Sequence, residues 1–432
     1  MVRNKDDVLE YVIENDVKFV RLQFCDIFGT LKNISIMPSQ LEKAFDEGIC
    51  FDASSIKGFL NTVDSDLMLF PDPCTMSVLP WRPQQGRVVR FFCNVKRENG
   101  EPFEGDSRRI LQQAILIAEN KGYSINFGPE CEFFLFETDS AGKPTPSLHD
   151  NAGYFEVAPL DKGENVRREI CLTLEEMGLD VESSHHETGA GQHEISFRYA
   201  DALTSADNLV TFKTVVKTIA SRNGLYASFM PKPLNNISGS GLHINMSLIK
   251  DDINLFEGGI TSECGNFIAG ILAHIKELCA FSNPLINSYK RLSTGFQAPR
   301  FISWSHQNRS QLIRIPAAKG QYSRMELRNP DPSCNPYLVF ALLINAGMDG
   351  IEKKMPLQSE SAIDTYTDDT SGLECLPTTL FDALIEAQNS TLVKNTIGER
   401  TFTKYFNAKL AEWKSYCEYV DDWETAKYFG II

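Results

Sequence analysis

The sequence of 432 residues predicts an α+β protein made of two domains. The first observation is the segment Val17–Asp26 (VKFVRLQFCD), whose apolar residues alternate with polar ones, as is typical of a strand. The second is a cluster of turn residues and charges at Asn99–Pro102, beyond which longer helices and strands follow. These observations predict a small N-terminal domain at residues 1–98 and a larger domain at residues 99–432.

The N-terminal domain is predicted to contain short helices and strands joined by tight turns. Phe28, Gly29 and Thr30 form one such turn, and Pro38 and Ser39 are typical of a helix start. In order after the first strand, the remaining predicted elements are the strand Leu31–Met37, the helix Leu41–Glu47, the small-residue loop Phe51–Leu60 and the strand Val88–Val95. The loop carries one acid, Asp52, that is predicted to be buried. A helix, Asp6–Asn15, is predicted before the first strand.

The larger domain is predicted to alternate helices and strands. Its first helix, Asp106–Lys121, has a capping residue at Asp106 or Ser107 and a stop at Gly122. Gln358–Gly372 is predicted to be an acidic surface loop, and the tail beyond it is predicted to be helical. The other predicted elements are the strands 124–127, 131–137 and 226–230, a strand ending near Ser247, and the helices 164–177, 206–222, 267–281 and 335–353.

Composition and charge exclude several classes of protein. The net charge is −15 and the pI is near 5.0, which argues against binding to nucleic acid or to an anionic membrane surface. The eleven cysteines contain no CxxC pair and indicate reduced thiols, so a cytoplasmic location is expected. The longest apolar run, Leu338–Met348, is too short to span a membrane and predicts a buried helix.

Four acidic residues predict a site for cations. Glu187 and Glu194 lie on either side of a Gly-Ala-Gly turn, which indicates a tight loop that directs both side chains to one place. Glu130 and Glu132 are two positions apart in an apolar strand, so both project from one face. Buried carboxylates repel one another unless cations separate them, which favours Mg²⁺ or Mn²⁺. The alternative, that these acids are ordinary surface charges, holds better for any one of them than for the set.

Arginines form a second cluster, in the region 291–328, which is predicted to contain short strands. The members are Arg291, Arg309, Arg314, Arg324 and Arg328. A strand would place Arg324 and Arg328 on the same face as Glu326, and arginines held by apolar walls suit carboxylate or phosphoryl groups. The alternative for each arginine is a surface ion pair.

His243 follows glycines in the segment NNISGSGLHINMS, where a structural role and a ligand role both remain open. Acids and arginines together predict an anionic substrate with a transferable phosphate. The sequence contains neither a GxxxxGK[ST] loop nor the kinase motifs, so a nucleotide would be held by another architecture.

Several segments of the chain resemble the glutamine synthetase family, in its bacterial type I form. They are FDASSIKGF, FGPECEFFLFE, AGYFEVAP with DKGENVRREI, ESSHHETGAGQHEI, KPLNNISGSGLHINMS, RLSTGFQAP, NRSQLIRIPAAKG and RMELRNPDPSCNPYL. Their order and spacing extend over nearly the whole chain, from Val17 to Phe429. The resemblance implies a β-grasp-like N-terminal domain and a catalytic domain with a curved antiparallel sheet flanked by helices. It also implies a dodecamer of two stacked hexameric rings, with each site between subunits.

The reaction that this resemblance implies is the ATP-dependent ligation of ammonia to glutamate through a γ-glutamyl phosphate. One metal would be held by Glu132, Glu187 and Glu194. The other would be held by Glu130, His243 and Glu326. Glutamate or its γ-phosphate would meet Arg291, Arg309, Arg328 and the backbone of Ser238 and Gly239.

The nucleotide and the ammonium ion would take further residues, again by resemblance. Arg309 and Arg314 would face the ATP phosphates. The other nucleotide contacts would be Glu182, Asn245 and Ser247. Asp52 would reach the neighbouring subunit's site and help to deprotonate ammonium, in a pocket that also includes Ser55 and Tyr154.

Three positions depart from the family pattern. Gln297 stands in the flap segment RLSTGFQAP where the family usually has a glutamate, and an amide cannot act as a carboxylate base. Ser238 stands where the family usually has an asparagine, and Asn61 stands at a position that often carries an arginine linked to glutamine feedback. The insertion of the adenylylated subgroup is absent and the context of Tyr366 does not match, so that modification is not predicted.

The departure at Gln297 leaves three alternatives open. The first is glutamine synthesis with Asp52 as the main base. The second is a ligase that joins glutamate to an amine larger than ammonia. The third is a non-catalytic relative that senses nitrogen status.

Overall fold

The computed structural model describes residues 4–82, 85–293 and 297–431. The N-terminal region forms a six-stranded sheet in the order β2-β1-β6-β4-β3, with β5 beside β6, accompanied by two helices. Strands β1 and β6 are parallel, and the other pairs are antiparallel. The elements are α1 (Lys5–Glu14), β1 (Val17–Cys25), β2 (Leu31–Ile36), α2 (Leu41–Asp46), β3 (Ile49–Asp52), β4 (Asp66–Pro71), β5 (Ser77–Val78) and β6 (Arg87–Lys96).

The larger region forms an eleven-stranded sheet in the order β15-β16-β17-β13-β7-β10-β9, with further short strands beside β7 and β13. Its strands are β7 (Tyr123–Thr138), β8 (Pro144–Leu148), β9 (Val181–His186), β10 (Gln192–Phe197), β11 (Ala200–Asp201), β12 (Leu225–Ser228), β13 (Leu242–Lys250), β14 (Ile253–Asn254), β15 (Trp304–His306), β16 (Ile313–Ile315) and β17 (Met325–Leu327). Its helices are α3 (Ser107–Glu119), α4 (Glu164–Glu176), α5 (Ala202–Arg222), α6 (Ser262–Ser282), α7 (Ile286–Ser293), α8 (Pro336–Glu352), α9 (Leu380–Asn389), α10 (Thr391–Ile397), α11 (Glu399–Cys417) and α12 (Asp422–Tyr428).

Strand β7 is the centre of the larger sheet. It is one strand of sixteen residues, so the predicted break between residues 127 and 131 is wrong. Strand β13 pairs with it without interruption past Gly128 and Pro129, and this long pairing outweighs the local turn signal. One face of β7 packs on helices: Phe127 stacks on Phe340 of α8 with ring centroids 4.2 Å apart, and Phe133 meets Phe212 of α5.

Helices α6 and α8 pack tightly in the core. A methyl group at Gly270 would lie 2.2 Å from the carbonyl oxygen of Ala346, so only glycine allows this approach. Helix α6 is long and apolar enough, by composition, to cross a membrane, a property that the sequence analysis missed. However, 72% of its apolar window is buried within the fold, as expected for a core helix.

The fold class is confirmed, with corrections in three segments. The start of the predicted loop Phe51–Leu60 belongs to β3, and β4 was not predicted because prolines and aspartates interrupt its pattern. Arg291 lies in a helix, α7, and not among short strands. Asp52 is exposed, so its predicted burial is wrong.

Candidate active site

The acidic residues meet because neighbouring strands present them in register. Glu130 and Glu132 project from the face of β7 opposite its helix-packed phenylalanines. Glu194 of β10 lies opposite Glu132, and His243 of β13 lies opposite Glu130. Glu326 lies on β17, which pairs with the far side of β13, opposite Asn245. The side chains of Glu130, Glu132, Glu194, His243 and Glu326 all line one cavity of about 220 Å³.

Glu187 reaches the same cavity from the hairpin between β9 and β10. The backbone N–H of Glu187 donates to the carbonyl of Gln192, which closes the hairpin. Its carboxylate lies 3.0 Å from Nε2 of His185 and accepts a hydrogen bond from the N–H of Thr188. Burial acts to raise the pKa of Glu187, but these hydrogen bonds outweigh it and the pKa is lowered.

Three groups in the cavity have the composition of cation sites. In each group, one ligand atom from every residue lies within 4.8 Å of the others. The groups are Glu130, His243 and Glu326; Glu132, Glu194 and His243; and His185, Glu187 and Glu194. The donors are carboxylate oxygens and imidazole nitrogens, which fit hard or intermediate divalent cations.

Electrostatics distinguishes the acids. Burial raises the pKa of Glu194 well above its usual range, and the carboxylates of Glu130, Glu132, Glu187 and Glu326 raise it further. Burial also raises the pKa of Glu132. The raised pKa values of these two neighbouring carboxyl groups indicate that protein cations do not balance their negative charge, which a divalent cation would balance.

Glu326 is already balanced by protein cations. It is 2% exposed, and its carboxylate accepts hydrogen bonds from Arg314 at 2.7 Å and Arg328 at 2.5 Å. Burial acts to raise its pKa, but Arg328, His243 and Arg314 outweigh burial and lower the pKa to about 2. Glu326 therefore stays ionised while it holds two arginines at the wall of the cavity.

Arg291 and Arg309 both line the cavity, but they differ in burial and in how they are held. Arg291 is buried, and its guanidinium donates to the carbonyls of Asn329, Pro330 and Arg328, so its position is fixed by the backbone. Arg309 is exposed in a loop and bonds to the side chain of Tyr154, which raises the pKa of Arg309. All of the predicted arginine ligands line the cavity, as do Tyr154, Ser238, Gly239 and Gln297.

A second cavity lies next to the first and shares Glu130 and Ser196 with it. Glu182, Asn245 and Ser247, the predicted nucleotide contacts, line this second cavity. Phe197, Tyr199 and Tyr322 provide aromatic surface there. Asn245 links the two cavities, because its amide donates to Glu130 and its oxygen accepts from Arg324.

Asp52 and Ser55 lie away from both cavities in this single chain. Both residues are exposed, and Asp52 accepts a hydrogen bond from the N–H of Ser54, whose side chain also lowers the pKa of Asp52. Their predicted role in a neighbouring subunit's site stays a prediction. Of the flap segment RLSTGFQAP, residues 294–296 lie outside the described residues; Gln297 is exposed and has a φ of +56°.

Sequence reasoning missed four residues that line the cavity: Ser183, His185, Gln192 and Ser196. Two of them, Gln192 and His185, contact the predicted acids. Gln192 donates to the carboxylate of Glu132 at 2.9 Å and to the carbonyl of Gly239 at 3.1 Å. His185 lies with Nε2 3.0 Å from the carboxylate of Glu187. Both flank predicted acids within the segment SHHETGAGQHEISF, so their closeness in sequence was the available signal.

The sheet and its acidic cavity define an α+β protein with candidate sites for divalent cations. A family model described as the glutamine synthetase catalytic domain matches residues 104–428, and one described as the glutamine synthetase β-grasp domain matches residues 16–98. The chain belongs to the glutamine synthetase family. The predicted family membership is therefore confirmed.

Similar proteins agree over almost the full length. Glutamine synthetase of Clostridium saccharobutylicum is 50% identical, with 99% of this chain and 98% of the relative covered. Glutamine synthetase of Methanosarcina mazei is 48% identical over the same shares. A solved structure described as "GmaS/ADP complex-Conformation 1" has a TM-score of 0.91 and 30% identity, with 100% of both chains covered.

Proposed function

We propose that this protein joins ammonia to L-glutamate at the expense of ATP, through a γ-glutamyl phosphate, and releases glutamine, ADP and phosphate. The observation that carries the proposal is one cavity in which five carboxylates lie beside Arg291, Arg309, Arg314 and Arg328. A carboxylate is a poor acyl donor until it is phosphorylated, and phosphoryl transfer needs cationic groups around the transferred phosphate. The close relatives named glutamine synthetase favour ammonia over a larger amine.

Two or more Mg²⁺ or Mn²⁺ ions would occupy this cavity. One would be held by Glu132, Glu187 and Glu194. The other would be held by Glu130, His243 and Glu326. When bound, the ions would neutralise charge on the phosphate oxygens. The unbalanced carboxylates around Glu194 support this assignment.

The chain's own residues would bind and orient the substrates. Arg291 and Arg328 are buried and fixed, so they suit the carboxylates of glutamate, with the backbone of Ser238 and Gly239 beside them. Arg309 is exposed and suits the phosphoryl group that is transferred from ATP. Its planar guanidinium can donate hydrogen bonds to the phosphate oxygens as negative charge develops on them.

The remaining nucleotide contacts would come from both cavities. Arg314 would face the ATP phosphates from the first cavity. Glu182, Asn245 and Ser247 would contact the nucleoside in the second, where the aromatic side chains can stack on a base. The similar solved structure of GmaS is a complex with ADP, which supports a nucleotide in this protein as well.

Ammonium would be deprotonated at a junction of two subunits. Asp52 and Ser55 are exposed on the N-terminal domain and would complete a neighbouring subunit's site, beside Tyr154 and Gln297. Because Gln297 has no carboxylate, Asp52 would act as the main base. This arrangement requires an oligomer, which we propose to be a dodecamer of two stacked hexamers.

We also propose that the domain boundary lies between residues 98 and 99 and that the enzyme works in the cytoplasm. The cysteine content, eleven residues with no CxxC pair, suits a reducing compartment.

The first experiment is phosphate release from ATP and Mg²⁺ with glutamate, comparing ammonium with a panel of primary amines. Fast turnover with ammonium is expected. Turnover only with larger amines would overturn the choice of nucleophile, and no turnover with any amine would overturn the catalytic proposal. The Glu132→Gln variant, prepared in parallel, reports any contaminating ATPase.

A second experiment tests the shared site. Asp52→Asn and Glu326→Gln variants should each be inactive. Co-expressed in one oligomer, they should regain part of the activity, because some junctions combine an intact Asp52 with an intact cavity. Hybrids that stay inactive would show that Asp52 does not act across a subunit boundary.

A further inference from the structure

A segment outside both cavities follows the loop that carries Arg309. Residues 358–366, here named the strap, form no helix or strand but run along residues 302–311. Near its start, the carbonyl of Gln358 accepts from the indole of Trp304 at 2.8 Å, and the N–H of Ser361 donates to the carbonyl of Trp304. Glu360 accepts from the N–H of His306 at 2.7 Å.

The contacts become denser beside Arg309. The carbonyl of Ile363 accepts from the amides of Asn308 at 2.9 Å and Gln311 at 2.8 Å. The N–H of Thr365 donates to the hydroxyl of Ser310 at 2.9 Å, and the hydroxyl of Thr365 donates to the carbonyl of Ser310 at 2.8 Å. The strap therefore binds both chain neighbours of Arg309, namely Asn308 and Ser310.

The last contact is made to Arg309 itself. The hydroxyl of Tyr366 donates to the carbonyl of Arg309 at 3.3 Å. Thr365 and Ser310 are buried at 8% and 3% exposure, so their bonds are shielded from water, whereas the side chain of Tyr366 is 38% exposed.

The loop needs such support because it lies between two short strands. Arg309 falls between β15, which ends at His306, and β16, which begins at Ile313. Gln307 has a φ of +58°, a conformation that is strained for a residue with a side chain and that neighbouring contacts must hold. A loop without these contacts would lose conformational entropy when Arg309 takes up its position against the substrate. The strap already restricts the loop in the free protein, so less entropy is lost at that step.

We propose that the strap is a positioning device for Arg309 and that Thr365 is its principal positioning residue. This inference rests on the proposed function, in which Arg309 faces the transferred phosphoryl group. Thr365 touches no substrate; it acts on the rate by fixing the backbone on which Arg309 is presented.

The test compares Thr365→Val with Thr365→Ser in the full-length enzyme, using phosphate release with glutamate, ATP, Mg²⁺ and ammonium. Valine has nearly the shape of threonine but cannot donate to Ser310, whereas serine keeps the hydroxyl. We expect Thr365→Val to lower kcat about threefold to tenfold and to leave KM for glutamate within about twofold. Thr365→Ser should stay within about twofold of the wild type.

A matched control is available two residues further on. Thr367 is exposed and its hydroxyl contacts Asp368, outside the strap, so Thr367→Val should leave kcat unchanged. If Thr365→Val does not fold, Tyr366→Phe removes the bond to Arg309 at an exposed position and should lower kcat in the same direction.

A double-mutant cycle separates positioning from general destabilisation. In an Arg309→Ala background, Thr365→Val should cause no further loss of kcat, because the group that it positions is gone. An equal loss in both backgrounds, or wild-type kcat in both Thr365→Val and Tyr366→Phe, would overturn the inference. Wild-type turnover with ammonium tests the proposed function separately, so the two failures can be distinguished.

Discussion

Replacing Glu194 by glutamine should stabilise the metal-free protein, although Glu194 is a proposed metal ligand. Its ion-pair contact within the described part of the chain is with His185, at 4.0 Å. One of its oxygens lies within 4.8 Å of an oxygen of Glu132, a separation at which two unit charges repel by about 3.5 kcal/mol at an effective dielectric constant near 20. Proton uptake relieves part of this repulsion, so we expect a gain of about 1 to 3 kcal/mol at pH 7.

Glu326→Gln is the matched substitution in the same cavity, and its effect should have the opposite sign. The folded pKa of Glu326 is about 2 against an ordinary 4.5, which corresponds to about 3 kcal/mol of stability at neutral pH. A glutamine there leaves Arg314 and Arg328 without their carboxylate. Because the folded pKa is lowered, this stability is present above pH 4.5 and is lost as the pH falls towards 2.

The assay is thermal unfolding of the wild type and both variants, first in EDTA and then in excess Mg²⁺. In EDTA, Glu194→Gln should unfold at a higher temperature than the wild type and Glu326→Gln at a lower one. At a Mg²⁺ concentration about 100 times its Kd, the wild type should gain about 2.7 kcal/mol. Both variants should gain much less, since each has lost a ligand.

Lowering the pH gives an independent check on the sign. The folded pKa of Glu194 is raised, so its penalty exists at neutral pH, shrinks as the pH falls below the folded pKa and is gone near the ordinary value of 4.5. The advantage of Glu194→Gln in EDTA should shrink accordingly. A variant that is destabilised in EDTA, or that keeps the full response to Mg²⁺, would refute the reasoning.

Two further predictions concern turnover. Gln297→Glu should raise the initial rate with ammonium by a few fold, most clearly at lower pH, because it adds a carboxylate base beside Asp52; an unchanged pH profile would show that Asp52 suffices. Gly239→Ala should raise KM for glutamate by about tenfold or more, because its methyl group would lie 2.4 Å from the carbonyl of Pro231 and 2.9 Å from the side chain of Arg291. The control Gly265→Ala meets only ordinary contacts in α6 and should keep the wild-type KM, and equal effects at both positions would contradict the argument.

Much of the cavity could be expected from local spacing. Glu130 and Glu132 share a face because they are two residues apart in a strand, and the glycine turn between Glu187 and Glu194 brings their strands together. The register that brings Glu326 towards them depends on pairing between distant segments, which local pattern does not contain.

Other features could not be read from the sequence for physical reasons. Asp52 was predicted to be buried in a loop, but it ends a strand whose alternation points it to the opposite face from the buried Phe51. The hydrogen bonds of Thr365 join segments about fifty residues apart, and a polar loop sequence does not indicate which backbone it will hold. The role of Gln192 likewise depends on where strand β7 places Glu132.

The central position of β7 has a consequence for synthesis of the protein. Strand β7 leaves the ribosome early, whereas its neighbour β13 and the next strand, β17, follow more than a hundred residues later. Until β13 arrives, one long edge of β7 has no hydrogen-bonding partner, and such edges promote association with other chains. Conditions that slow translation between residues 138 and 242 should therefore increase aggregation of the nascent chain more than an equal delay after residue 330.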